Sequence, residues 1–180
     1  IVDFQGKPMI AWTIEAALKT DLFDQVLVST DDEEIAQISR KYGANVPFLR
    51  EKYTDDFSTV SQATHAALIQ MEQFCGEQFN TIVQLMANCP LRSANSILNQ
   101  IIEFEGTYKR NSVLSGMGYG MFNPWWAHKK REKGGYERIF EDFHVNRRSQ
   151  DLPELICPTG AIWISSRSNL TAFDTFYSPG

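Results

Sequence analysis

Cysteine is scarce in this sequence, and the few cysteines form no pattern of their own. Cys75, Cys89 and Cys157 are odd in number and far apart, and no two of them make a C-x-x-C pair. We therefore expect neither a disulfide framework nor a zinc site, and reduced thiols suit a cytoplasmic protein. The chain has only three histidines. None has a second ligand at metal-binding spacing, so no metal site is expected within these residues.

Long apolar runs and surplus positive charge are missing as well. No run approaches the roughly 18 apolar residues of a membrane-spanning helix, and no signal-peptide pattern is visible, which predicts a soluble, cytoplasmic protein without a membrane partner. The net charge of −5 argues against nucleic acid as a partner, because no broadly basic face is expected. With 180 residues, 43% of them hydrophobic, the chain is long enough to fold around a sizeable core.

Short apolar runs alternate with amphipathic segments along most of the chain. The amphipathic segments predict helices at 8–20, 31–42, 59–74 and 93–105, with Thr30 or Asp31 capping the second, and the apolar runs predict strands at 25–29, 46–49, 81–86, 112–115 and 161–165. This alternation predicts an α/β fold of the three-layer, Rossmann-like kind, with helices on both faces of a mainly parallel sheet. Residues 117–155 break the rhythm and are interpreted as an insertion.

Polar turns follow three of the predicted strands. In doubly wound sheets, ligands bind outside the carboxyl ends of the strands, which is where these turns would lie. Arg50 fits an ion pair with acidic neighbours or a contact to a phosphate or base. Arg92 stands directly before a predicted helix cap, and a structural and a binding role are both open for it. Thr30 and Asp31 fit simple helix caps at least as well as ligand contacts.

Five ordered blocks of sequence resemble one enzyme family. They are G-K-P-M-I-A-W-T-I-E-A-A-L from residue 6, F-D-Q-V-L-V-S-T-D-D-E-E-I-A from 23, Y-G-A-N-V-P-F-L-R from 42, C-P-L-R from 89, and R-S-Q-D-L-P-E from 148 with T-G-A-I-W-I from 159. In order and spacing they resemble the cytidylyltransferases that activate nonulosonic acids. These are the CMP-sialic acid (acylneuraminate) synthetases and their pseudaminic and legionaminic acid counterparts. The similarity spans nearly the whole chain.

The resemblance implies an enzyme that joins CTP to an eight- or nine-carbon 2-keto sugar acid, giving a CMP-sugar and pyrophosphate. The anomeric hydroxyl would attack the α-phosphorus in line, with Mg²⁺ and basic groups stabilising the phosphate charge. It further implies that Arg50, Ser58 and Thr59 hold the cytosine end of the nucleotide. The turn that contains Asn88 and Arg92 would line the sugar and phosphate cleft. No catalytic residue is assigned.

For the sugar acid, the resemblance implies contacts from Arg148, Gln150 and Trp163, the last standing where the family usually has tyrosine. Met86 stands where the sialic acid enzymes have a glutamine that contacts the sugar. Cys157 stands where some of them place an arginine for the substrate carboxylate. A relative of sialic acid is therefore expected at least as much as sialic acid itself.

Two parts of the family's machinery would lie outside the matched residues. A phosphate loop would precede the residue that matches Ile1, and the aspartate pair that binds Mg²⁺ would follow the residue that matches Gly180. We expect one nucleotidyltransferase domain over 1–180, with both segments beyond it. Two alternatives stay open: another sugar nucleotidyltransferase or a glycosyltransferase on a similar sheet, and a catalytically inactive nucleotide-binding module.

The insertion carries many aromatic side chains without the periodicity of a core element. Each has about 150–250 Å² of surface that favours burial. We therefore predict that this insertion is a dimerisation subdomain of a two-fold homodimer, which the family resemblance also implies. The aromatic residues are Tyr119, Phe122, Trp125, Trp126, Tyr136, Phe140 and Phe143.

Overall fold

A computed structural model describes residues 1–140 and 147–177, a range that leaves Phe143 outside the described residues. The strands are β1 (Asp3–Phe4), β2 (Lys7–Pro8), β3 (Thr81–Gln84), β4 (Val113–Gly118), β5 (His128–Lys130), β6 (Tyr136–Arg138) and β7 (Ile156–Ser166). The helices are α1 (Met9–Leu18), α2 (Glu33–Lys41), α3 (Val60–Cys75), α4 (Ala94–Gly106) and α5 (Arg167–Phe173). Single 3₁₀ turns lie at Pro124–Trp126 and Ser149–Asp151. No helix in the described ranges is long and apolar enough to cross a membrane.

The predicted helices are confirmed, and most begin at residues that cap them. Thr59 and Gln62 form a capping box at the start of α3, and Ser93 caps α4 through the Ser96 main-chain N–H. The expected cap of α2 is corrected. The side chain of Asp32 caps this helix by accepting from Ile35 N, whereas the Thr30 hydroxyl accepts from Asp32 N and shapes the turn before it.

The expected mainly parallel sheet is not confirmed. The central sheet of the described residues has the order β3-β7-β4, and β3 pairs with β7 in antiparallel register. The described residues between β4 and β7, 119–140 and 147–155, contain no α-helix of the kind that usually connects parallel neighbours. The predicted strands at 25–29 and 46–49 contribute one isolated parallel bridge, between Leu27 and Asn45.

Strand β7 nevertheless has helices against both of its faces, as the α/β prediction requires. Ile162 and Ile164 join a cluster that includes Phe104 of α4. Trp163, which points to the opposite face, joins Leu68 of α3 in a second cluster with Leu170 and Phe176. Each fully buried side chain of this size contributes about 1.5–3 kcal/mol to folding, so β7 anchors the core on two sides.

The chain forms two compact units. The first comprises Ile1–Ser115 and the residues from Gly160 onward, and the second is Gly116–Thr159, close to the expected insertion. Within the second unit, β5 and β6 form an antiparallel hairpin. The Trp125 indole N–H donates to Pro153 O at 3.0 Å, and its ring meets Phe140 edge to face at 5.2 Å between centroids.

Candidate functional site

A cavity of about 970 Å³ lies within the first unit. Apolar residues of α1 and α3 form part of its wall, segments 22–29 and 78–88 form another part, and residues of the 50–59 loop and of α4 complete it. Its volume is at the upper end of the range of about 300–1,000 Å³ that is typical of ligand sites. Four of the five predicted nucleotide contacts line it, namely Arg50, Ser58, Thr59 and Asn88.

Arg50 is held against the turn that follows segment 25–29. Its Nη1 donates to Ser29 O at 2.9 Å and to Ser29 Oγ at 3.3 Å, while Nη2 lies 3.6 Å from Asp31 Oδ1. The side chain is 15% exposed, and its buried Nε has no hydrogen-bond partner within the described ranges. A buried donor without a partner is costly, so this N–H is an unsatisfied group in a residue that lines the cavity.

The loop before α3 is fixed by one carboxylate. Asp55 Oδ1 accepts from the main-chain N–H groups of Phe57 at 2.8 Å and Ser58 at 2.9 Å, and Asp55 Oδ2 accepts from Ser58 Oγ at 2.8 Å. These hydrogen bonds, above all the one from the Ser58 hydroxyl, lower the pKa of Asp55. The carboxylate thus fixes the geometry of Ser58 at the cavity edge, directly before Thr59.

Arg92 is not among the cavity-lining residues, although Asn88 of the same turn is. It is 9% exposed, and its guanidinium donates to Met86 O at 3.2 Å, to Ala161 O, and to Thr13 Oγ1 at 2.8 Å. The structure thus places Arg92 behind the wall, where it joins α1, the end of β3 and β7.

The three predicted sugar-acid contacts are divided between the two units. Arg148 and Gln150 are exposed residues of the second unit, and Arg148 makes a two-point ion pair with Asp151 at 2.7 and 3.0 Å. That carboxylate raises the pKa of Arg148. Trp163 belongs to the first unit and is 9% exposed. It lines a separate cavity of about 340 Å³ together with Thr59 and Tyr177.

Met86 forms an apolar part of the wall at the end of β3. Its main-chain N–H donates to Gly160 O at 3.3 Å, and its side chain lies directly over Gly160. A Cβ atom added to Gly160 would stand 1.8 Å from Met86 Sδ. The glycine therefore leaves the space that the methionine side chain occupies.

The described residues provide no ligand set for a divalent metal. No group of three or more His, Cys, Asp or Glu side chains in residues 1–140 and 147–177 is placed to hold a metal ion. Mg²⁺ does not need an all-protein cage, since it is usually bound through one or two carboxylates and the substrate phosphates. The residues present do not by themselves fit a magnesium site.

Sequence reasoning overlooked two residues of the cavity wall. Thr13 lies on the buried face of α1, and its hydroxyl both donates to Met86 O at 3.4 Å and accepts from Arg92. Tyr53 lines the cavity from the loop after Arg50. A polar residue within the apolar stripe of a predicted helix was the available signal for Thr13. Nothing in the sequence distinguished Tyr53.

Comparison with known proteins places the chain among cytidylyltransferases. A family model described as "Cytidylyltransferase" matches residues 1–120. Pseudaminic acid cytidylyltransferase of Campylobacter jejuni (strain 81-176) is 31% identical over 99% of this chain and 76% of the relative. CMP-N,N'-diacetyllegionaminic acid synthase of Legionella pneumophila is 29% identical over 96% of this chain and 73% of the relative.

Two solved structures share the fold. CMP:2-keto-3-deoxy-manno-octonic acid synthetase, complexed with CTP, matches with a TM-score of 0.67 and 15% identity, over 96% of this chain and 68% of that one. The 4-diphosphocytidyl-2C-methyl-D-erythritol synthase of Anaerococcus prevotii gives a TM-score of 0.60 with 14% identity and the same coverage. At such identities the match establishes the fold alone, an α/β nucleotidyltransferase fold.

Proposed function

This chain belongs to the cytidylyltransferase family that makes CMP-activated nonulosonic acids, and we propose that its substrate is a deoxygenated relative of sialic acid. The reaction joins CTP to a 2-keto sugar acid and releases pyrophosphate. The observation that carries the assignment of the site is the convergence of Arg50, Ser58, Thr59 and Asn88 on one cavity. These residues come from two separate stretches of the sequence, residues 50–59 and the turn that contains Asn88.

The arrangement around the cavity supports binding of a pyrimidine nucleotide. Arg50 presents a fixed cationic donor, and hydrogen bonds from Ser58 to Asp55 and from Thr59 to Gln62 hold both residues in place before the ligand arrives. A site whose donors are already oriented loses less entropy on binding. We assign the cytosine end of CTP to Arg50, Ser58 and Thr59, and the sugar and phosphate part to the region of Asn88.

The preference for a deoxygenated sugar acid is supported by Met86. This residue lines the cavity with a thioether where a polar group would be needed to bind a sugar hydroxyl. An apolar wall favours a methyl or deoxy carbon and leaves a hydroxyl without a partner. Pseudaminic and legionaminic acid enzymes among the relatives agree with this preference.

The sugar acid also needs a partner for its carboxylate, and we assign this role to Arg148, with Gln150 beside it. Arg148 is exposed and already holds Asp151, so a substrate carboxylate would take the place of that side chain. We also assign a contact with the sugar acid to Trp163, because it lines the smaller cavity.

In the reaction, the residues of this chain bind and orient the two substrates and offset their negative charge. Two anionic substrates must approach each other for the anomeric hydroxyl to reach the α-phosphorus, and fixed cationic groups reduce their repulsion. Mg²⁺, which we propose as the cofactor, would neutralise part of the triphosphate charge when bound. We also propose that the protein is a cytoplasmic homodimer, with the aromatic residues of the second unit at the interface.

The activity is tested by incubating the full-length protein with CTP, Mg²⁺ and one of three acids: pseudaminic, legionaminic or N-acetylneuraminic acid. Formation of CMP-sugar is followed by chromatography and pyrophosphate release by a coupled assay. We expect a higher kcat/KM for at least one of the first two acids than for N-acetylneuraminic acid. A preference for N-acetylneuraminic acid would contradict the role given to Met86. The absence of any CMP-sugar would contradict the proposed function.

The first prediction concerns Arg50. Replacing it with alanine removes a charge-assisted donor, an interaction worth about 1.5–3 kcal/mol, so the KM for CTP should rise by about ten- to a hundredfold. The KM for the sugar acid should change much less. Discrimination against UTP should also weaken.

The matched control is Arg138→Ala, which removes an exposed arginine of β6. Melting temperatures of both variants show whether the loss of the Ser29 contacts has disturbed the fold. Equal increases of both KM values in a folded Arg50→Ala protein would refute the assignment.

A further inference from the structure

Arg92 is a buried arginine whose acceptors are all neutral. Only 9% of the residue is exposed. Its guanidinium donates to two main-chain carbonyl groups, those of Met86 and Ala161, and to the hydroxyl of Thr13. These hydrogen bonds use three of its N–H donors and bring no carboxylate to its positive charge, which has one electrostatic partner of smaller effect, Cys89.

No carboxylate within 4 Å accompanies this charge in the described parts of the chain. Burial lowers the pKa of Arg92, as expected for a cation removed from water. Its Nε is buried without a hydrogen-bond partner among the same residues. A neutral donor could serve the same acceptors without the cost of burying an unpaired ion. The charge itself therefore needs an explanation.

The position of the guanidinium relative to the cavity supplies one. Two of its three acceptor residues, Thr13 and Met86, line the cavity, and Asn88 lines it two residues later. The charge thus lies directly behind the wall, separated from the cavity by the groups that it binds. Arg50, which stands in the wall itself, differs because Asp31 lies 3.6 Å from its Nη2 and offsets part of its charge.

We propose that Arg92 is an electrostatic positioning residue, whose buried charge attracts the phosphate chain of the nucleotide to the Met86–Asn88 part of the cavity without touching it. This inference rests on the proposed function, because it requires an anionic nucleotide in that cavity. A charge in a poorly polarisable interior acts over several ångströms with little screening. The hydrogen bonds of Arg92 hold that charge at a fixed place.

The experiment compares the Kd of CTP with the Kd of cytidine, measured by calorimetry on the full-length protein. Cytidine shares the base and ribose but lacks the phosphates. The ratio of the Kd of CTP to the Kd of cytidine therefore reports how much the phosphate charge contributes to binding. Arg92→Met removes the charge and keeps much of the volume, and it should weaken CTP about tenfold while changing cytidine by about twofold or less. Arg92→Lys keeps the charge and should retain CTP affinity to within about threefold.

Two further variants separate the effect of the Arg92 charge from the effect of its hydrogen bonds. Thr13→Val removes one hydrogen bond of Arg92 and leaves its charge, so the ratio should stay as in the wild type. Lys41→Met removes an exposed charge from the last turn of α2 and should also leave the ratio unchanged. If Arg92→Met does not fold, Arg92→Gln, which also removes the charge but keeps N–H donors for the same acceptors, takes its place with the same expected result.

The outcomes are distinct. Equal loss of CTP and cytidine affinity in Arg92→Met, or a tenfold weakening of CTP relative to cytidine in a folded Thr13→Val or Arg92→Lys protein, overturns this inference and makes Arg92 a structural clamp. An unchanged ratio in Arg92→Met overturns it as well. A wild-type protein that binds no CTP overturns the proposed function and this inference together.

Discussion

At the scale of single residues, the Met86 side chain fills the space that a side chain at position 160 would need. The methionine side chain lies where a Cβ on residue 160 would be, and it also forms part of the cavity wall. A side chain at position 160 would require the flexible end of the Met86 side chain to move. The glycine thus leaves room for the conformation that Met86 adopts in this structure.

This overlap leads to a prediction about stability. Gly160→Ala should lower the free energy of unfolding by about 1–3 kcal/mol, the usual cost of overpacking. Met86→Ala combined with Gly160→Ala should recover much of that loss, because the clashing atoms are gone. Urea denaturation of the single and double variants measures the coupling.

The matched control is Gly118→Ala at the end of β4, where an added Cβ would meet nothing within 4 Å. It should leave the free energy of unfolding nearly unchanged. Strictly additive effects of the Gly160 and Met86 substitutions would show that the two residues are independent.

At the scale of elements, one carboxylate joins three parts of the first unit. Glu72 of α3 accepts from Arg167 Nε at 2.7 Å and Arg167 Nη2 at 2.9 Å, and also from Phe79 N at 3.1 Å. It thereby joins α3 to the first residue of α5 and to the approach to β3. The hydrogen bonds from Arg167 are the main reason why the pKa of Glu72 is lowered.

The lowered pKa predicts how stability depends on pH. Because the folded-state pKa of Glu72 lies below its ordinary value of 4.5, its contribution is complete above that value and is lost as the pH falls through the folded-state pKa. Glu72→Gln should therefore reduce the free energy of unfolding at pH 7 by about 1–3 kcal/mol. The difference between wild type and variant should shrink in acid.

Glu33→Gln is the matched control, because Glu33 makes an exposed ion pair with Arg40 on α2. It should change stability by about 0.5 kcal/mol or less. A wild-type-to-Glu72→Gln difference that stays constant between pH 7 and pH 3 would contradict the role of the charged pair.

The helices could be predicted from the sequence because their signals are local. Thr59 and Ser93 are cap residues directly before apolar periodicity, and both do cap helices. The strands at 25–29 and 46–49 were only partly predictable, since an apolar run cannot determine which backbone it pairs with. For the same reason the apolar run at 161–165 did not reveal that β7 pairs with β3 in antiparallel register.

Prediction of the candidate site from the sequence has the same limit, because sequence patterns report local structure. Turns at strand ends could be recognised, and Arg50, Ser58, Thr59 and Asn88 do share a cavity. Whether an arginine points into such a cavity or behind its wall depends on distant partners. Arg92 binds Thr13 and Ala161, which are 79 and 69 residues away along the chain. No local pattern contains that information.

At the scale of the whole molecule, the exposed apolar surface of the second unit supports the proposed dimer. Met121 and Phe122 are both 82% exposed, and Tyr136 is 70% exposed. Trp125, by contrast, bonds Pro153 and packs on Phe140 within its own unit. The candidates for the surface that meets the partner are therefore Met121, Phe122 and Tyr136 and not Trp125.

We predict that Met121→Ser combined with Phe122→Ser shifts the full-length protein from dimer to monomer, because both changes remove apolar surface from the proposed interface. Analytical ultracentrifugation over a range of concentrations measures the shift. Trp125→Ser is the comparison, and it should mainly lower the melting temperature by loosening the unit. A wild-type protein that is monomeric at all concentrations would rule out the dimer.

The overlap of Met86 with Gly160 also has an evolutionary consequence. A lineage that gains a side chain at position 160 must also redirect or shorten the side chain of residue 86, because the two cannot share the space that Met86 fills now. Since residue 86 also borders the cavity, such paired changes would alter the wall against which the substrate lies. Residues 86 and 160 would then change together, and each such change would affect both substrate preference and backbone packing.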